Sequence, residues 1–182
     1  MAARFAVKPG MGQTRSMRLI EWMIRPVSMI TLVAVMAAGC AAEERTVPPD
    51  AVQLESEVLF ELSTTHSAES VPARRVIRDA SEWAQLLPQI AGPEEPAPAI
   101  DFAQNMVVVA AMGEQRSGGH SIVIDGVFTD EAEIYIEVNE VSPGPECVVS
   151  AEITSPVTAV AVPRRSGGVV WVERASTLAC DE

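Results

Sequence analysis

The sequence predicts an α+β domain made mainly of antiparallel β-sheet, with about seven strands and one short helix near residues 80–87. Three observations carry that expectation. Glu131–Val141 alternates Ala132, Ile134, Ile136 and Val138 with Glu133, Tyr135, Glu137 and Asn139, the period of two that a half-buried strand requires. Asn105–Met112 is apolar almost throughout, as in a strand covered on both faces. Helical period is convincing in one place, where Trp83, Leu86, Leu87 and Ile90 fall at i, i+3, i+4 and i+7 behind an Asp79-Ala-Ser-Glu82 capping box.

In chain order, residues 1–39 read as a lipoprotein signal peptide. The first forty residues hold five of the thirteen basic side chains (Arg4, Lys8, Arg15, Arg18, Arg25) and one acid, Glu21. Val27–Gly39 is uncharged and follows Arg25-Pro26. A lasting membrane helix needs roughly 18 or more apolar residues, so this run suits the core of a cleaved signal. Ala37-Ala38-Gly39-Cys40 resembles the bacterial lipobox, whose cysteine is diacylated and becomes the new N-terminus; Ala37 stands where leucine is usual. A plain secretory signal with a coincidental cysteine is the alternative. Forty residues is long for such a signal and Glu21 is unwelcome in its basic region, so Met17 and Met23 stand beside Met1 as starts.

Residues 40–53 are small, charged and proline-rich, the composition of a flexible tether, and 54–182 read as a single domain. Val58–Leu62 and Ala73–Arg78 are its first strands, separated by a Ser/Thr-rich loop that contains His66. The helix is expected to stop near Leu87, because Pro88 removes a backbone donor and crowds the preceding turn. A proline-dense connector, 91–100, leads to strands at 105–112, 120–128, 131–141, 157–162 and 169–174, expected in antiparallel order. Arg-Ser-Gly-Gly occurs at 116–119 and again at 165–168. Both copies read as independent tight hairpin turns, with Gly118 and Gly119 at positive φ. Ser142-Pro-Gly-Pro145 is expected to break the strand before it.

Charge excludes one class of partner. From Cys40 onward there are eight arginines, no lysine and twenty-four acids, a formal charge of −16. Phosphate backbones require clustered Lys and Arg, so nucleic acid is not a partner on this reading. Outside the cytoplasm Cys147 and Cys180 are most simply a disulfide; free thiols and a metal pair are the alternatives.

A catalytic constellation is hard to assemble. His66 and His120 are the two histidines. Ser117 or Ser121 with His120 and Asp125 could be imagined as a triad, but neighbours 120 and 121 on a strand point to opposite faces. The sequence has no GxSxG elbow, no HExxH or paired-cysteine zinc spacing, and no phosphate-cradling glycine loop. The acids of 130–140 lack the DxDxDG spacing of a calcium loop and read as a solvated strand face. No catalytic residue, cofactor or metal is therefore expected.

From Val76 to Glu173 the chain resembles the PrcB C-terminal domain family. The matching features are the capped helix VIRDASEWAQLL, Asp101-Phe102, MVVVAAMG, the segment RSGGHSIVI, Ser-Pro-Gly-Pro ahead of Cys147, and Thr154-Ser155-Pro156 ahead of VTAVAVPR. Val157 departs from the pattern, since the family often has an aromatic residue there. The family is named for an accessory lipoprotein subunit of a bacterial cell-surface protease complex. The resemblance thus implies a non-catalytic protein-binding domain on the cell envelope. The expected partner surface is Arg116, Ser117, Gly118, Gly119 and His120 with Ser142, Pro143 and Gly144. The expected partners are the membrane, through lipid on Cys40, and an exported protease or another envelope protein. In a cell with two membranes, Ala41 in place of Asp after the cysteine points to the outer one. A structural lipoprotein without a protease link and an envelope enzyme with an unrecognised site are the alternative readings.

Overall fold

The structure, a computed structural model, describes residues 45–62, 72–92, 98–130 and 132–180. The signal segment 1–39, Cys40 with the first tether residues, and His66 lie outside the described residues. Among those described, eight strands and one helix follow the order β1 (Val52–Gln53), β2 (Glu57–Leu62), β3 (Ala73–Ile77), α1 (Ala80–Ile90), β4 (Asn105–Ala111), β5 (Ser121–Thr129), β6 (Glu133–Pro143), β7 (Val157–Pro163) and β8 (Gly168–Leu178). They form two four-stranded sheets, β1-β5-β6-β8 and β2-β7-β4-β3.

Residue alternation decides how the layers stack. On β4 and β7, Met106, Val108, Ala110, Val160 and Val162 pack with Ile122, Val127, Ile134, Ile136 and Val138 of the first sheet. The intervening residues Val107, Val109, Ala111, Val157 and Ala159 pack with Phe60, Trp83, Leu86, Leu87 and Ile90. The second sheet is therefore a middle layer, between the helix and the first sheet, and every residue from Met106 to Ala111 is at most 1% exposed. Full burial of each valine stabilises the fold by about 1.5–3 kcal/mol, which is why this strand carries no polar residue after Asn105. Phe60 and Trp83 stack beneath the helix with ring centroids 6.3 Å apart.

The helix begins as expected. The Asp79 carboxylate accepts from the backbone N–H of Ser81 (2.8 Å) and Glu82 (3.2 Å), satisfying two orphan donors of the first turn. It does not stop at Leu87. Pro88 sits in the last turn, where it forfeits one backbone bond, and burial of Ile90 at 2% exposure outweighs that loss. The Ala91 N–H then closes the end on the Leu87 carbonyl at 2.9 Å.

Connectivity differs from expectation in four places. First, the domain starts earlier than residue 54: Val52 and Gln53, expected in the tether, pair with Thr129 and Phe128 of β5. Second, neither Arg-Ser-Gly-Gly is a hairpin turn. The first lies between β4 and β5 and the second between β7 and β8, and each carries the chain from one sheet to the other. Third, β8 is not antiparallel to its predecessor; it runs parallel to β6, from Glu133↔Gly168 to Pro143↔Leu178. Fourth, β6 continues through Ser142 to Pro143, so Ser142-Pro-Gly-Pro145 breaks it only after Pro143. Strand period marks which face is buried but not which strand lies alongside, and Gly-Gly serves a sheet-to-sheet crossing as well as a hairpin.

The second crossing is pinned by Arg164. Its N–H donates to the Gln104 carbonyl (2.7 Å), and Nη1 donates to the carbonyls of Arg78 (2.6 Å) and Phe102 (2.8 Å). On the opposite flank Arg74 joins the two sheets. Its Nη2 reaches Glu140 Oε1 of β6 (2.6 Å) and Glu173 Oε2 of β8 (2.9 Å), while Nη1 donates to the Ala111 carbonyl (2.7 Å). Burial disfavours the charge on Arg74, but the bonds to Glu173 and Glu140 outweigh it and hold the guanidinium above its ordinary range.

Candidate functional site

The two segments expected to form a surface do meet. The Gly118 N–H donates to the Ser150 carbonyl at 3.0 Å, and Thr154 Oγ1 donates to the Ser117 carbonyl at 2.9 Å. Gln115 and Thr154 exchange backbone bonds of 2.7 and 3.0 Å in an isolated antiparallel bridge. Gly119 lies against Pro143 and Val149: a Cβ placed on it would sit 2.8 Å from Val149 Cγ1 and 3.3 Å from Pro143 Cβ. Its φ of 81° adds a backbone reason for glycine. Gly118 differs from expectation, since its φ is not positive; it is confined by Ser150, whose Oγ would be 2.5 Å from an added Cβ.

From the other side, β8 holds the start of the same loop. The Gly144 N–H donates to the Leu178 carbonyl at 2.9 Å. An added Cβ at Gly144 would lie 2.7 Å from that oxygen, so the approach requires glycine. Cys147 and Cys180 are joined, with Sγ–Sγ 1.94 Å and Cα–Cα 5.1 Å. The return is anchored by Thr154 and Ser155, both buried, and by the Pro156 carbonyl, which accepts from the Met112 N–H at 2.9 Å. The Thr-Ser-Pro motif is thus a buried anchor.

Between these anchors the loop turns apolar side chains to solvent. Val148 is fully exposed at 102%, Ile153 is 63% exposed, and Val149 and nearby Leu178 are also exposed. Arg116 and Gly119 are exposed; Ser117, Gly118, His120, Ser142, Pro143 and Gly144 are half-buried. Nδ1 of His120 is buried without a hydrogen-bond partner. Sequence reasoning missed Val148, Val149, Ile153 and Leu178, because apolar residues usually signal a core. Their one sequence signal is position, between Pro145 and Pro156 and outside any strand period.

The acids of 130–140 have structural work. The Asp130 carboxylate accepts from the N–H groups of Ala132 and Glu133, both at 2.7 Å, and closes the turn between β5 and β6. These bonds, the Glu133 N–H foremost, hold Asp130 below the ordinary carboxylate range. The Tyr135 hydroxyl can donate to Asp130 Oδ2 (2.9 Å) or Glu133 Oε2 (3.0 Å), and the bond to Asp130 is the largest cause of its raised pKa. Glu137 pairs with Arg174, and Glu140 with Arg74. Among the described residues no group of three or more His, Cys, Asp or Glu is arranged to hold a metal ion.

These features define a helix-backed β-sandwich with a disulfide-tied surface loop. Residues 106–163 match the model of the PrcB C-terminal family, the family that the sequence resembles. The matched span runs from β4 to β7 and includes the Arg116–His120 segment, the exposed loop and the Thr-Ser-Pro anchor. No curated protein and no solved structure matches the chain.

Proposed function

We propose that this chain is an exported, lipid-anchored and non-catalytic protein-binding module, accessory to a cell-envelope protease complex or to another envelope protein. The observation that carries the binding reading is the loop between β6 and β7: it is fixed at both ends yet presents Val148 and Ile153 to water. Exposed apolar groups gathered on one surface mark interaction sites, and a loop already fixed loses less conformational entropy when a partner arrives. The family match supports an accessory role, since the family's name comes from a protease-associated subunit. The anchor rests on the uncharged run Val27–Gly39 ending at Cys40.

Two measurements test the reading. Mass spectrometry of material from the native host should find a diacylated cysteine at position 40, and C40S should leave the membrane fraction. An unmodified Cys40 with unchanged membrane association would remove the anchor. Chemical crosslinking in intact cells should give a discrete protein adduct; a chain that stays uncrosslinked at native expression would remove the binding role.

A further inference from the structure

We infer that the Glu146–Ile153 loop docks an apolar segment of a protein whose contact surface is rimmed by Lys and Arg. The inference rests on the protein-binding reading and names the partner's chemistry. The loop turns Val148 and Ile153 to solvent, and Val149 and Leu178 are also exposed. Charge selects the occupant. On segments 114–120 and 142–155 three exposed acids, Glu114, Glu146 and Glu152, share the surface-facing chain with the exposed apolar residues, and Arg116 is the one arginine. A second copy presenting this face would set those carboxylates against each other. Anionic lipid headgroups would be repelled in the same way. A basic rim around an apolar socket complements both the charge and the hydrophobic centre.

The loop is also built to keep its shape. It is covalently tied at Cys147, bonded to the Arg116–His120 segment through Ser150, and paired at Thr154. Such a loop can insert as a preformed knob.

The test is photo-crosslinking of the full-length chain in intact cells, with p-benzoylphenylalanine placed in turn at Val148, Ile153 and, as a distant control, the exposed Gln85 on α1. The expected result is one protein adduct from positions 148 and 153 and none from 85, with Lys or Arg flanking the crosslinked peptide on the partner. The charge reversal E146K/E152K should reduce that adduct by roughly tenfold, as expected when rim charges become repulsive. Circular dichroism of the purified double mutant checks that it is folded; if it is not, E146Q/E152Q takes its place, with a loss of several-fold expected. An adduct of two copies of this chain, an adduct with lipid alone, or a protein adduct that persists after charge reversal would overturn the inference. Adducts from Gln85 but not from 148 or 153 would also overturn it while leaving the protein-binding reading intact. Silence at all three positions would sink both.

Discussion

Replacing both bonded cysteines, C147S/C180S, should lower stability by an amount that the geometry of the closed loop fixes in advance. The bond spans 33 positions of sequence. In the chain-entropy treatment a crosslink of that span removes about 12–13 cal/mol/K from the denatured ensemble, which is about 3.8 kcal/mol at 25 °C. The native fold loses little in return, because β6 and β8 stay paired as far as Pro143 and Leu178. For a domain of this size each kcal/mol moves the melting midpoint by roughly 3–5 °C, so a drop of roughly 11–19 °C is expected. Total stability is typically about 5–15 kcal/mol, so the variant should remain folded at room temperature. Urea unfolding, followed by circular dichroism, should show a lower midpoint and a steeper m-value, since the uncrosslinked denatured chain exposes more surface. Hydrogen exchange should quicken at Gly144–Ser150 and at the end of β8, and not in β4. A midpoint change below about 3 °C would refute the entropic account. Faster exchange throughout β4 would instead show that the bond supports the core and not the loop.

Other perturbations probe separate parts of the structure. G119A should cost about 1–2 kcal/mol from its left-handed backbone alone, with a further penalty from Val149, whereas G118A should cost less because Ser150 Oγ can rotate away. Equal losses in urea midpoint would contradict the assigned conformations. R74M leaves Glu140 and Glu173 without their cation between the sheets and should destabilise by about 1–3 kcal/mol, between the values for exposed and buried pairs. Adding E140Q/E173Q to R74M should recover part of that loss, and a further loss would be evidence against charge as the cause. The pH profile follows from Asp79 and Asp130, both held below their ordinary range by hydrogen bonds, the Ser81 hydroxyl first for Asp79 and the Glu133 N–H first for Asp130. Their stabilising contribution is complete above the unfolded carboxylate pKa of about 4 and is lost as pH falls through the lower folded values. D130N should therefore flatten the acid limb of a plot of melting midpoint against pH. Tyr135 has the opposite sign. Its raised pKa gives a contribution that is full below about pH 10 and is lost as pH rises through the folded value, so Y135F should lack that alkaline decline.

What could be read from the sequence was local. The alternation of Ile134, Ile136 and Val138 marks the core face of β6, and the unbroken run from Met106 marks a strand covered twice. Asp79 caps the helix as its place before Ala-Ser-Glu suggests. The pairing of Cys147 with Cys180 follows from their being the two cysteines after Cys40. What stayed hidden was long-range. Nothing within β8 shows that it lies parallel to β6, because that pairing is reached through a strand of the other sheet. Arg-Ser-Gly-Gly looked like a hairpin turn, but each copy joins strands of different sheets, and which sheet receives the next strand is not written in it. The site was half legible for the same reason. Arg116–His120 was readable as a shaped loop, whereas Ser142 and Pro143 close β6, and the side chains that the loop beyond them turns to water are valines and an isoleucine, which composition assigns to a core.

The length of that loop argues against a merely connecting role. Pro143 ends β6 in one sheet and Val157 begins β7 in the other, so 144–156 must make a single crossing. Connections in small domains have a median of about 4–6 residues, and those beyond about 12 without regular structure are usually functional or unstructured. This one is thirteen residues long and is tied down at Gly144, Cys147, Ser150 and Thr154. If crossing were its whole purpose, a shorter connection would serve and would spare Val148 and Ile153 their contact with water. A deletion of 148–153 rejoined by two glycines should therefore fold with a melting midpoint near or above that of the parent, while losing crosslinks to its envelope partner. If the deletion instead unfolds the domain, the exposed valines belong to the fold's own stability and the binding argument fails at its first step.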